Sequence, residues 1–293
     1  DEAHRAAQAQ GVDLSAYQRF LYLFPYQACI GAPGSATVGG NPSLTWVNGS
    51  FGLRTLAHEF GHNLGLGHSY AQRADGTFID YGDPLDVMGT PGVVGHFSPP
   101  QKEQLGWLDG DMQMVDTDGD YQITPYSHAQ QVVPHVLKIL KATSESGLRS
   151  WYYLSVRQPS VFDNPTLSTH TQSGIVIHTG SEDPHVPNAL IDLTPATATF
   201  KDPALGVGQS FIDTKAGLTC MHLEVGPNGA RVRIRFWTVL PPVVLPPVVV
   251  PPPILPSLPD QGMTLTTDKT TYVLPTAVTA PLRGGVAGQA IQF

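Results

Sequence analysis

Three histidines and a glutamate stand close together in the stretch His58-Glu59-Phe60-Gly61-His62-Asn63-Leu64-Gly65-Leu66-Gly67-His68. On a helix, residues four apart share a face, so His58 and His62 can turn their imidazoles toward one metal ion while Glu59 lies on the adjacent edge. A catalytic zinc takes three protein ligands at Zn–N distances of about 2.0–2.1 Å and keeps one position open for water. Gly65 lets the chain leave the helix by a left-handed turn, after which His68 can swing back as the third ligand. The chemistry open to such a set is metal-assisted hydrolysis, with Glu59 as general base. A bare HExxH also arises as a polar helix face carrying two histidines by chance. The glycine and the third histidine at these spacings are each required by the geometry, which favours the metal reading.

The elements that must position these groups follow from local pattern. Leu53, Leu56, Ala57, Phe60 and Leu64 recur at spacings of three and four, which predicts a helix from Leu53 to Leu64 with one packed face, ended by Gly65. Arg19 to Phe24 reads as a buried strand ended by Pro25, and Leu44 to Val47 as another closed by Asn48-Gly49. Ala36 to Val38 is a short possible strand inside a Gly/Pro/Ser-rich loop. Asp1 to Gln10 reads as the end of a helix stopped at Gly11. Ser98, with proline next and Gln101 three residues on, predicts a short helix from Pro99 to Leu105.

After about Asp109 the texture changes to β-rich segments: 122–124, 132–140, 151–157, 174–178, 189–193, 220–225 and 231–236. Their spacing predicts a β-sandwich. The expected organisation is α+β: a catalytic domain over 1–110, incomplete at its N-terminus, then a β-sandwich over 111–238. A Pro-rich stiff linker over 239–260 and the start of a truncated Ig-like β domain over 261–293 complete it.

Charged residues are sparse at 14% and the formal net charge of the 293-residue chain is -8, which argues against nucleic acid as a partner. Proline interrupts the longest Val/Leu run, so no membrane span is expected. The chain starts at Asp1 with no visible signal peptide and reads as a mature or truncated piece. Cys29 and Cys220 lie far apart; a single inter-domain disulfide is possible, but two unrelated buried thiols explain the same count and are favoured.

The string HExxHxxGxxH resembles the signature of the metzincin zinc peptidases, and this chain matches every fixed position. The resemblance implies His58, His62 and His68 as zinc ligands and Glu59 as general base. It implies a methionine turn beneath the metal, for which Asp86-Val87-Met88-Gly89 is the candidate, with Met88 as support and not as ligand. The wider strings from Thr55 to Ser69, Tyr81 to Gly89 and Gln101 to Leu108 resemble the gametolysin-type branch, and 151–157 resembles the β-domain that follows there. The first strand of the metzincin fold is absent from the segment. Some metzincins add a tyrosine just after the methionine turn, and Thr90 to Phe97 contains none. An extended substrate is implied to lie along an edge strand near Ala36 to Val38.

The function expected is that of a secreted zinc endopeptidase, monomeric, acting on extracellular or cell-wall protein or glycoprotein. The competing class is an adhesion or wall-binding protein with a vestigial protease domain. Asp75, Asp80, Asp83 and Asp86 fall between the zinc helix and Met88, where a structural Ca2+ could brace the loop; loop caps and solvated charges are the plainer reading. Asp116 to Asp120 opens like a calcium loop but lacks its closing glutamate, so a polar turn is expected.

Overall fold

A computed structural model describes residues 2–125, 133–160, 168–197 and 199–237. The linker expected over 239–260 and the Ig-like segment expected over 261–293 lie outside the described residues. In chain order the first elements are α1 (Glu2–Ala9), β1 (Arg19–Phe24), β2 (Gly34–Ala36), β3 (Ser43–Asn48), α2 (Leu53–Asn63), β4 (Tyr70–Gln72), β5 (Phe78–Ile79) and α3 (Pro99–Gln104). Then follow β6 (Met112–Val115), β7 (Gly119–Ile123), β8 (Val136–Thr143), β9 (Arg149–Val156), α4 (Thr169–Gln172), β10 (Ile175–Ser181), β11 (Ala189–Ile191), β12 (Ser210–Asp213), β13 (Leu218–Gly226) and β14 (Gly229–Phe236). The molecule is therefore α+β, mostly sheet with few helices.

A three-stranded sheet in the order β1-β3-β2 carries α2. β1 runs parallel to β3, pairing Arg19 with Ser43, and β2 runs antiparallel, pairing Gly34 with Val47 and Ala36 with Thr45. Polar side chains tie this layer together. Asn63, at the end of α2, donates to the carbonyls of Thr37 and Leu44 and accepts from Thr45 Oγ1. Arg19 donates to the Asn63 carbonyl. The strand expected near Ala36–Val38 forms two residues earlier, as β2, at the sheet edge.

Two readings of this layer are corrected. β1 is not buried: it is an edge strand whose residues alternate between exposed and half-buried, with Leu23 exposed. The apolar stripe of α2 faces the core only in part: Ala57 packs against Leu66, Val87 and Met88, but Leu53, Phe60 and Leu64 are exposed. Its buried face is the polar one, comprising Thr55, His58, Glu59, Gly61, His62 and Asn63. The reason is local: this face packs on β2, β3 and the loop around Met88, where the polar groups find partners.

The larger body has a seven-stranded sheet, β5-β4-β11-β10-β9-β8-β6, and a four-stranded sheet, β12-β13-β14-β7. Their facing residues share one core, including Leu137, Leu154, Ile175 and Ile177 from the first sheet and Phe211, Leu218, Val232 and Ile234 from the second. Each such side chain contributes about 1.5–3 kcal/mol by leaving water. β4 pairs parallel with β11, setting Tyr70 against Ala189, so residues on both sides of position 110 share hydrogen bonds in one sheet.

The loop from Tyr81 to Phe97 is seated on that sheet. Leu85 packs with Val176, Leu190 and Ala204. Asp83, fully buried, accepts from Leu85 N and Ser69 Oγ and meets His178 Nε2 on β10 at 3.0 Å. Burial raises the Asp83 carboxyl, but the His178 contact and charge outweigh it and hold the group below the usual range. Cys29 is exposed, Cys220 is buried, and both are free thiols. Among the described residues no helix is long and apolar enough to cross a membrane.

Candidate metal centre

α2 places His58 and His62 one turn apart with ring centroids 4.8 Å apart. The helix then stops by a glycine-dependent reversal. Gly65 adopts φ 95°, its N–H bonds to the His62 carbonyl, and Leu66 N–H reaches the Gly61 carbonyl, the paired bonds of a Schellman motif. Two glutamines of the α3 region hold the returning segment, Gln104 on the Gly65 carbonyl and Gln101 on the Gly67 carbonyl. Ser69 N–H bonds to the Met88 carbonyl at 3.0 Å. These constraints bring the His68 ring within 5.6 Å of His58 and 5.0 Å of His62.

On each of the three rings Nδ1 is already engaged. His58 Nδ1 lies 2.9 Å from the Val87 carbonyl, His62 Nδ1 2.9 Å from the Leu66 carbonyl, and His68 Nδ1 3.1 Å from Asp80 Oδ1. Anchoring of one ring nitrogen by a carbonyl or carboxylate fixes the tautomer that leaves Nε2 as an acceptor, as metal-binding histidines require. Ligand atoms of His58, His62 and His68 all lie within 4.8 Å of one another. Tetrahedral zinc sets its nitrogens about 3.3 Å apart, given Zn–N of about 2.0–2.1 Å, so modest ring rotation suffices to close the set. Burial pushes His58 down to about 4, against a smaller opposing effect of the Val87 carbonyl, and burial also lowers His62. Both therefore stand neutral at pH 7, the form that binds a metal.

Met88 is fully buried beneath α2 with Leu66 and Val87. A methyl at Gly61 would collide with Met88 Sδ and stand 3.1 Å from Phe97 Cε1, which explains a glycine inside the helix between the two histidines. Asp86 shapes the turn by accepting from Met88 N and Ser98 N, both at 2.7 Å. The four aspartates of this region thus have separate uses: Asp75 accepts from Thr77 N, Asp80 holds His68, Asp83 holds His178, and Asp86 caps the turn.

Glu59 is buried beside the histidines, and burial pushes its carboxyl up to about 7, partly countered by Arg54. The backbone of β2 passes directly over it: a Cβ built on Gly34 would stand 2.5 Å from Glu59 Oε1. An edge strand with open hydrogen-bonding positions thereby runs alongside the carboxylate.

Sequence reasoning missed two residues here. Tyr81, a non-glycine residue at φ 57°, lays its ring 3.7 Å from that of His68 and 5.8 Å from that of His58. It precedes the methionine turn, outside the window from Thr90 to Phe97. Arg54 was visible in principle, since it lies four residues before His58 and so on the same helix face.

No protein-family model matches this chain. No curated protein and no solved structure matches it either.

Proposed function

We propose that the chain is a secreted zinc endopeptidase of the metzincin type, similar to the gametolysin branch, hydrolysing peptide bonds of extracellular or cell-wall proteins and glycoproteins. The observation that carries this reading is the convergence of three histidines, each anchored through Nδ1, next to a buried carboxylate. Bound there, a zinc ion supplies a Lewis acid to the attacking water and to the carbonyl under attack. Glu59 takes the proton from the water and returns it to the departing amine, so no separate protein nucleophile is needed. A carboxyl raised by burial is well matched to that double task near neutral pH. Burial raises the Tyr81 phenol above its usual value, so it stays a hydrogen-bond donor for the oxygen that gains charge. The edge of β2 offers main-chain groups to an extended peptide, which is how the substrate would be held across Glu59.

Zinc content and cleavage of casein or gelatin, measured for the native chain and for Glu59→Ala, test this. The expected outcome is one zinc in both and cleavage in the native chain alone. Cleavage surviving in Glu59→Ala removes the base; zinc missing from both removes the site.

A further inference from the structure

Arg54 sits one turn before His58 on the buried face of α2 and is itself half-buried. Its Nη2 donates to the Gly89 carbonyl at 3.2 Å, which pins the side chain over the turn that follows Met88. Its Nε is buried with no hydrogen-bond partner. Among the described residues no carboxylate lies within ion-pair distance of the guanidinium, although its charge acts on Glu59, His58, His62 and Tyr81. A cation that is partly desolvated, fixed in place and left with an unpartnered donor is costly unless something anionic approaches it. Bracing of the methionine turn accounts for one donor only. Glu59 stays at a distance and does not pair with it.

Resting on the endopeptidase reading, we propose that Arg54 is a specificity residue that receives the carboxylate of an Asp or Glu side chain in the substrate, directly flanking the bond that is cut. Helix residues four apart have Cβ atoms about 5–6 Å from each other, and the guanidinium is near enough to act electrostatically on His58, Glu59 and His62. That spacing is within the reach of an acidic side chain on a residue adjoining the scissile bond. The delocalised guanidinium suits charge-assisted hydrogen bonding to a carboxylate, a geometry that the point charge of lysine reproduces only in part.

The test uses the full chain loaded with zinc and peptides that are identical except for Glu or Gln at each position flanking the cleaved bond. Binding is measured by fluorescence anisotropy in the cleavage-silent Glu59→Ala background, with Arg54 intact or replaced. At one flanking position the Glu peptide is expected to bind about tenfold tighter than the Gln peptide. Arg54→Met abolishes that preference, Arg54→Lys retains part of it, and Arg54→Glu turns it toward a Lys peptide. In the chain with Glu59 intact the same preference appears in KM more than in kcat. Equal binding of the Glu and Gln peptides when Arg54 is present overturns the assignment, as does a preference that survives Arg54→Met. So does failure to bind either peptide. The comparison with Arg54 intact needs no Arg54 variant to fold, and the anisotropy readout stands apart from the casein assay, so loss of the endopeptidase reading is seen separately.

Discussion

Replacing Glu59 by glutamine should make the metal-free chain more stable at alkaline pH and leave it unchanged in acid. Burial raises the folded-state pKa of Glu59 from 4.5 to about 7, so the folded chain holds this proton more tightly than the unfolded chain does. The penalty is absent below about 4.5, grows as the pH climbs and is complete above about 7. At 1.36 kcal/mol per pKa unit the shift corresponds to about 3 kcal/mol; water entering the cleft screens part of this, leaving about 2 kcal/mol. For a folded body of this size that is an increase in Tm of about 4–8 °C for Glu59→Gln at pH 8, falling to nothing near pH 4.5. Asp86, pushed up to about 6 by burial and by the neighbouring Asp83 charge, weakens the fold across an overlapping range. It is present in both proteins, so their difference isolates Glu59. Thermal or urea unfolding in chelator at a series of pH values provides the measurement. A stability difference independent of pH, or one that grows toward acid, refutes the picture of a carboxylate ionising in a dry cleft.

Two further outcomes are expected. Gly61→Ala should lower stability by about 1–3 kcal/mol because its methyl meets Met88 and Phe97, whereas alanine for glycine inside a helix otherwise stabilises; urea unfolding distinguishes the two by sign. Asp80→Ala should weaken zinc binding about 10–100-fold by releasing the His68 ring, read by competition with a chromogenic chelator; unchanged affinity would show that the His68 contact does not orient the ligand.

The part of the site that follows one helix and its exit was legible in the sequence. Spacing alone put His58, His62 and Glu59 together, and Gly65 announced the left-handed exit that returns His68. What was not legible depends on contacts between distant segments. Tyr81 reaches the histidines only because its backbone adopts a positive φ, and tyrosine is not a residue that advertises such a turn. Apolar spacing located α2 correctly but placed Leu53, Phe60 and Leu64 on the buried face, whereas Asn63, Thr55, His58 and His62 are buried and satisfied by Thr45 of β3, Ser50, Val87 and Leu66. β4 and β5 are three and two residues long, too short for periodicity to register. β4 exists because Ala189–Ile191 lies alongside it, over a hundred positions away in the chain.

That last pairing bears on how such a histidine cluster could be inherited or transplanted. The strand that begins two residues after His68 is completed by β11, and Ser69 and Asp83, through His178, are fastened to the same sheet. A cut near position 110 would strip β4 of its neighbour, take His178 from Asp83, and remove Val176, Leu190 and Ala204 from under Leu85. The clustered histidines and Glu59 therefore do not constitute a movable cassette. The smallest portable piece runs at least through Ile191, and shuffling of this site among larger proteins has to carry the sheet along with the histidines.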